Sequence, residues 1–305
     1  MHLATLYSTI DTHVAGEPFR IVTQSPMNLK LGQDDLNRKN EMLQKGFKKE
    51  KAFLLNEPRG HRGMTGCIIT PSEQADYGLL FFSHEGVEFK YGGLIASLTA
   101  LLETGNIPMN QDDIYRVETI YGIYELKAEL NDGEVEEVYL ESDTVTFIER
   151  STDYDVVTVD SRTYFVFPLP SSIPRIDLEH VSEVTNWGRE TVDKFKRERV
   201  KFDGIIITEE DDANFDQVRS VTFEKDGSIL RSANIDSTIA ILTAKQQKLS
   251  DLKHLTNESI FNSSITVNYL PDSKKYSTKL RAFITGIHEF VYDEDDPFTS
   301  GFILK

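Results

Sequence analysis

Asn56-Glu57-Pro58-Arg59-Gly60-His61-Arg62-Gly63-Met64 is the stretch that decides how this chain folds. Proline presets one backbone angle and glycine relaxes the next, so Pro58 and Gly60 create a tight turn. Glu57 and Arg59 can pair across it, while His13 and His61 read as hydrogen-bonding residues that support the cleft. Upstream, Gln33 to Gly46 has a helical pattern; downstream, Gly66-Cys67-Ile68-Ile69-Thr70 is an apolar run with strand character. A thiol in such a run is read as a small buried hydrophobe. Cys67 is the sole cysteine, so no intrachain disulfide forms, as suits a reducing cytosol.

Further blocks flank this one in a fixed order. Ile10-Asp11-Thr12-His13-Val14-Ala15-Gly16-Glu17-Pro18 precedes it. After it come the Ala75-Asp76-Tyr77-Gly78 turn before an apolar strand, and Glu103-Thr104-Gly105 closing a helix. Ala233-Asn234-Ile235-Asp236, Ile284-Thr285-Gly286, Asp295-Asp296-Pro297-Phe298 and Gly301-Phe302 complete the series. Together these blocks resemble the proline racemase family, whose Glu-Pro-Arg-Gly-His-x-x-Met signature matches Glu57 to Met64. Val14 stands where the family has threonine.

The resemblance implies an α/β (α+β) protein of diaminopimelate epimerase-like fold. Two pseudo-symmetric lobes each wrap a curved antiparallel sheet around a central helix, with the ligand received at the helix N-termini. It divides the chain into residues 1–150 plus 286–305 and residues 151–285. It also implies a cofactor-independent isomerase in which two cysteines work from opposite faces of the substrate's α carbon. One thiolate takes the proton while the other thiol returns one.

This chain lacks both family cysteines. Where the family has Met-Cys-Gly-His-Gly, the sequence reads Phe89-Lys90-Tyr91-Gly92-Gly93. Counting back from Glu103 puts Lys90 at the cysteine position, and counting forward from Gly86 puts Tyr91 there. The helix phase set by Ile95, Ala96, Thr99 and Ala100 favours Lys90. Gly92 and Gly93 permit close backbone approach to an anion. In the second half, Asp236 runs through Ser237-Thr238 straight into a helix, so the cysteine and its glycine loop are deleted together. Asp236 and Ser237 are then N-cap candidates.

The expectation is therefore a racemase-like protein with a degenerate site and no racemase activity. Its ligand would be a proline-like amino acid or small carboxylate, and its partner a second copy or an active paralogue. The alternative is a one-base isomerase or dehydratase acting on a proline or hydroxyproline derivative. Lys90 and Asp236 are the candidate catalytic residues; His61, Phe89, Tyr91, Gly92, Gly93 and Ser237 are the ligand-binding candidates. A metal site built from His13, Glu17, Glu57 and His61 is not expected, since the helical i, i+4 spacing of a zinc motif is missing.

Composition narrows the class. A net charge of −17 disfavours nucleic acid, whose binding needs phosphates neutralised by Lys and Arg. The carboxylates at Glu134–Glu137, Glu209–Asp212 and Asp293–Asp296 read as solvated surface. The first residues have no signal-peptide pattern and no apolar run approaches a membrane span, so a cytoplasmic location is expected.

Strands are expected between Tyr115 and Leu130 and between Glu136 and Phe147, with a hairpin turn at Asn131-Asp132-Gly133. Others fall at Tyr164–Phe167, Gly204–Thr208, Val221–Phe223 and Ile265–Tyr269, and a C-terminal strand near Phe290 to Lys305. Helices are expected at Leu94–Thr104, His180–Arg199 and Ser237–Lys248 as well as Gln33–Gly46. Pro168 to Ser172 reads as a loop.

Overall fold

A computed structural model describes residues 5–27, 29, 35–84, 89–142, 145–211 and 213–303. In chain order the elements are β1 (Thr5–Val14), β2 (Glu17–Gln24), α1 (Leu36–Gly46), α2 (Lys48–Leu55), β3 (Thr65–Thr70), β4 (Tyr77–Phe82) and α3 (Tyr91–Glu103). There follow β5 (Ile114–Thr119), β6 (Gly122–Asn131), β7 (Glu134–Glu141), β8 (Val145–Arg150), β9 (Asp155–Val159), β10 (Arg162–Pro168) and α4 (Val181–Arg197). The last are β11 (Gly204–Glu210), β12 (Gln217–Phe223), α5 (Ile235–Gln246), β13 (His254–Ser259), β14 (Ser264–Leu270), β15 (Lys275–Leu280) and β16 (Ala282–Tyr292).

The chain divides into two compact units, Met1–Tyr139 with Arg281–Lys305 and Leu140–Leu280. In the first the strands lie in the order β16-β1-β2-β3-β4-β5-β6-β7, and in the second β8-β9-β10-β11-β12-β13-β14-β15. Read this way, the two halves repeat one pattern. β2/β3 and β4/β5 in the first are parallel pairs, as are β10/β11 and β12/β13 in the second. The strands between and beside these pairs run antiparallel, from β16/β1 to β5/β6 and from β8/β9 to β13/β14.

Parallel neighbours need a long crossover, usually helical. The α1–α2 pair and α4 supply the first crossover of their units, and α3 and α5 the second. The sequence explains which helix lies deepest. Tyr91 to Leu102 of α3 and Ile235 to Lys245 of α5 are buried on every side, as befits helices apolar all round. α4 instead buries one stripe, Val184, Gly188, Val192 and Phe195. That stripe packs with Phe165, Ile205, Ile207 and Phe223 of the sheet. Gly188 is required there, because a Cβ would run into the Phe223 ring. In the first unit Leu36, Leu43 and Phe53 to Leu55 cover Val22, Ile68, Leu80 and Phe82 in the same manner.

The Asp132-Gly133 hairpin forms with both residues at positive φ, 50° and 87°, as a two-residue loop between twisted strands demands. Three expectations need correction. The C-terminal strand is β16, which pairs with β1 from Ala282 to Tyr292; the described residues beyond it are mostly turns, with a single bridge at Phe302. Helix α2 was not anticipated, because its apolar residues cluster at one end. Arg59 does not turn back to Glu57. Its guanidinium donates to the carbonyls of Phe53 (2.9 Å), Phe298 (2.6 Å) and Thr299 (2.9 Å), and pairs with Asp296 (3.3 Å). Glu57 forms a β-bridge with Phe302. The opening motif is thus a clamp for the C-terminal segment. The linker residues 85–88 lie outside the described residues.

Candidate active site

Residues of β2, β3, β4 and β6 surround the N-terminus of α3. Lys90 is its N-cap, in extended conformation (φ −139°, ψ 128°), and makes no side-chain cap. Its Nζ instead lies 2.9 Å from Glu17 Oε1 on β2, with 8% and 5% of the two side chains exposed. A cation at the positive end of a helix is unfavourable, so the Glu17 carboxylate compensates both the ammonium and the helix end. Cys67 on β3 is fully buried close by. Burial pushes its thiol well up from the ordinary range; the Lys90 charge opposes this and the Glu17 charge adds to it. A protonated, buried thiol is neither base nor nucleophile.

Aromatic rings enclose the same helix end. Phe89 stacks on Tyr124 at 5.2 Å and meets Phe81, Tyr91 and Tyr121 edge-on at 5.4, 5.2 and 5.3 Å. Tyr91 meets Tyr124 at 5.7 Å. Gly92 and Gly93 let the helix approach this layer. A Cβ on Gly92 would stand 3.0 Å from Phe19 Cζ and 3.6 Å from Glu17 Oε2, and one on Gly93 would strike the Phe81 ring.

The N-terminus of α5 is built differently. Asn234 is its N-cap, accepting from the amides of Asp236 (2.9 Å) and Ser237 (3.3 Å). This corrects the assignment of capping to Asp236 and Ser237. Asn234 takes φ 56° and ψ 134°, a conformation costly for any residue but glycine. Asp236, freed from capping, faces Arg162 of β10, whose Nη2 is 2.5 Å from Oδ1 and 3.4 Å from Asp160 Oδ2. Burial raises the Asp236 carboxyl above the usual range, and Arg162 opposes that shift. Ser237 is buried and accepts from Thr222 Oγ1 at 2.7 Å.

His61 lies on the turn after the clamp, where its carbonyl accepts from the Met64 amide (3.0 Å) and meets His84 Nε2 at 3.3 Å. Lys90, Phe89, Tyr91, Gly92 and Gly93 come together at α3, and Asp236 and Ser237 at α5. Glu17 and Arg162, the two counter-charges, are not among the catalytic or ligand-binding candidates; Glu17 enters the sequence reading only as a potential metal ligand. Glu17 stands inside the N-terminal block, but neither it nor Arg162 carries a local signal of its partner. Among the described residues, no group of three or more His, Cys, Asp or Glu stands ready for a metal ion.

The proline racemase family model matches residues 9–303. This chain belongs to the proline racemase family. It is 30% identical to the trans-3-hydroxy-L-proline dehydratase of Bacillus thuringiensis subsp. konkukian and 25% identical to the proline racemase of Clostridioides difficile, each over the whole of both chains. The hydroxyproline epimerase of Agrobacterium vitis, solved with bound trans-4-hydroxy-L-proline, superposes with a TM-score of 0.81 at 20% identity. That match covers 98% of this chain and 95% of the epimerase, and establishes the shared α+β fold. Relatives of this proline racemase family chain thus include a racemase, an epimerase and a dehydratase. Among its described residues no helix is long and apolar enough to cross a membrane.

Proposed function

We propose that this chain does not racemise and instead binds a proline-like amino acid or small carboxylate, alone as a homodimer or beside an active member of its family. The observation that carries this reading is a buried ion pair at each helix N-terminus: Lys90 with Glu17, and Asp236 with Arg162. Racemisation needs a free base on one face of the α carbon and a ready acid on the other. A lysine held as an ammonium donates but does not accept, and the only thiol is protonated in the core.

The test is α-proton exchange followed by NMR in heavy water with L-proline, trans-4-hydroxy-L-proline and trans-3-hydroxy-L-proline. The expected result is saturable ligand binding without exchange. Exchange with proline that yields both enantiomers would refute the proposal.

One observation favours a second reading. The Lys90–Glu17 pair holds one transferable proton, which elimination can use. If the proton moves to Glu17, neutral Lys90 can take the α proton of 3-hydroxyproline. The C–H electrons then form the double bond, and Glu17 protonates the departing hydroxyl, which leaves as water. Lys90→Arg discriminates, because arginine keeps the ion pair but cannot act as the base. Olefin formation present in the native protein and lost in Lys90→Arg would select this reading.

A further inference from the structure

A cavity of about 280 Å³ opens in the second unit, against the last turn of α5 and the ends of β8 to β11. It lies at the opposite end of α5 from Asp236 and Ser237, and it is independent of the function proposed above. We propose that this cavity binds a small organic carboxylate with an apolar body, held by Lys245 and Lys248.

Lys245 carries the argument. It closes a helix that is buried on every side, and only 9% of its own side chain is exposed. A buried ammonium needs compensation and offers three donors. Its single ion-pair partner among the described residues is Glu210, at 3.3 Å, whose side chain is 57% exposed. That carboxylate can turn out to solvent and yield its place to a ligand. Lys248 follows three residues later, on the same side of the turn, and is exposed at the cavity.

The other ionic groups leave this lysine pair available. Arg150 is engaged by Asp155, at 2.8 and 3.3 Å, and by the Ala244 carbonyl at 3.3 Å. It forms a wall and neutralises Asp155. Asp153 is exposed at the rim. Val166, Pro168 and Ile241 supply apolar lining. The volume corresponds to about nine waters at ~30 Å³ each, below the usual size of drug-like pockets and suited to a small metabolite.

The test is isothermal titration and thermal shift of the full chain with hexanoate, acetate and inorganic phosphate. Hexanoate is expected to bind saturably and more tightly than either of the others. Lys248→Ala should weaken it about tenfold, the loss of one charge-assisted bond, and Lys245→Met should abolish it. Glu210→Gln should tighten it, because the internal competitor is removed. Lys248 and Glu210 are more than half exposed or at the surface, so their variants keep the test open if Lys245→Met fails to fold. Absence of hexanoate binding to the folded native protein would overturn the proposal. So would phosphate binding at least as tightly as hexanoate, or hexanoate affinity unchanged in both surface variants.

Discussion

Replacing Lys90 by methionine removes the ammonium from a pair whose side chains are 8% and 5% exposed, and leaves the length of the chain in place. The Glu17 carboxylate then stays in the interior without its cation. Breaking a buried pair in this way costs about 3–5 kcal/mol, whereas replacing both partners by uncharged groups is close to neutral. The packing change is small, because methionine fills most of the volume that the lysine stem occupies. At about 2–4 °C per kcal/mol, the melting temperature should fall by roughly 10 °C. The double variant Glu17→Gln, Lys90→Met should recover most of that loss. Urea unfolding of the two single variants and the double gives the coupling energy directly, and it should reach about 2 kcal/mol or more. A loss below about 1 kcal/mol in Lys90→Met would refute the reasoning. It would mean that the pair behaves as a solvated one and that Lys90 is free to titrate as a base.

Arg59→Ala should destabilise the chain by about 1–2 kcal/mol, the net loss of its hydrogen bonds to the half-exposed carbonyls of Phe53, Phe298 and Thr299, and hydrogen exchange should quicken at Gly301 and Phe302. Asp236→Asn should be mild at neutral pH, because Asp160 still faces Arg162. The sign of its pH dependence follows from the raised carboxyl. The folded state binds that proton more readily than the unfolded one, so native stability relative to Asp236→Asn should rise as pH falls from neutral toward the ordinary carboxylate value near ~4. The opposite slope in melting temperatures would contradict the burial argument. Cys67 should resist a thiol-specific disulfide reagent in the native protein and react at once in denaturant; fast native labelling would show the thiol to be accessible. Asn234→Ala should lose about 1 kcal/mol from the cap and more from a backbone angle that alanine does not favour, while Asn234→Gly should lose less.

The repeated αβ architecture was legible because periodicity and burial coincide. Leu94 to Glu103 and Ile239 to Lys245 are apolar enough to announce central helices, and Asn131-Asp132-Gly133 is a turn by chemistry alone. The helix expected from Leu94 begins three residues earlier, at Tyr91. In the fold, Gly92 and Gly93 are helical, and the space beside them belongs to Phe19 and Phe81. Such close packing is a tertiary fact that overrides local propensity. Asn234 was passed over as a cap in favour of Asp236, since both are good cap residues and only the backbone at Asn234 decides between them. The counter-charges were hidden for a simpler reason. Glu17 of β2 meets Lys90 at the start of α3, and Arg162 of β10 meets Asp236 in α5, from elements far apart in the chain. A single sequence carries no signal for such pairs.

The two units solve one electrostatic problem in opposite ways. Each presents the positive end of a buried helix. In the second unit an acid, Asp236, stands in the first turn of α5, where the dipole favours it, and Arg162 balances the burial. In the first unit a cation, Lys90, stands at the cap of α3 against the dipole, and the carboxylate comes from another strand. An ammonium placed against the dipole is costly to build, and Glu17 offsets that cost. The α3 end is where a carboxylate ligand or a one-base reaction should be sought first. Lys90→Arg separates the two, since it keeps the charge that binding needs and removes the base that elimination needs.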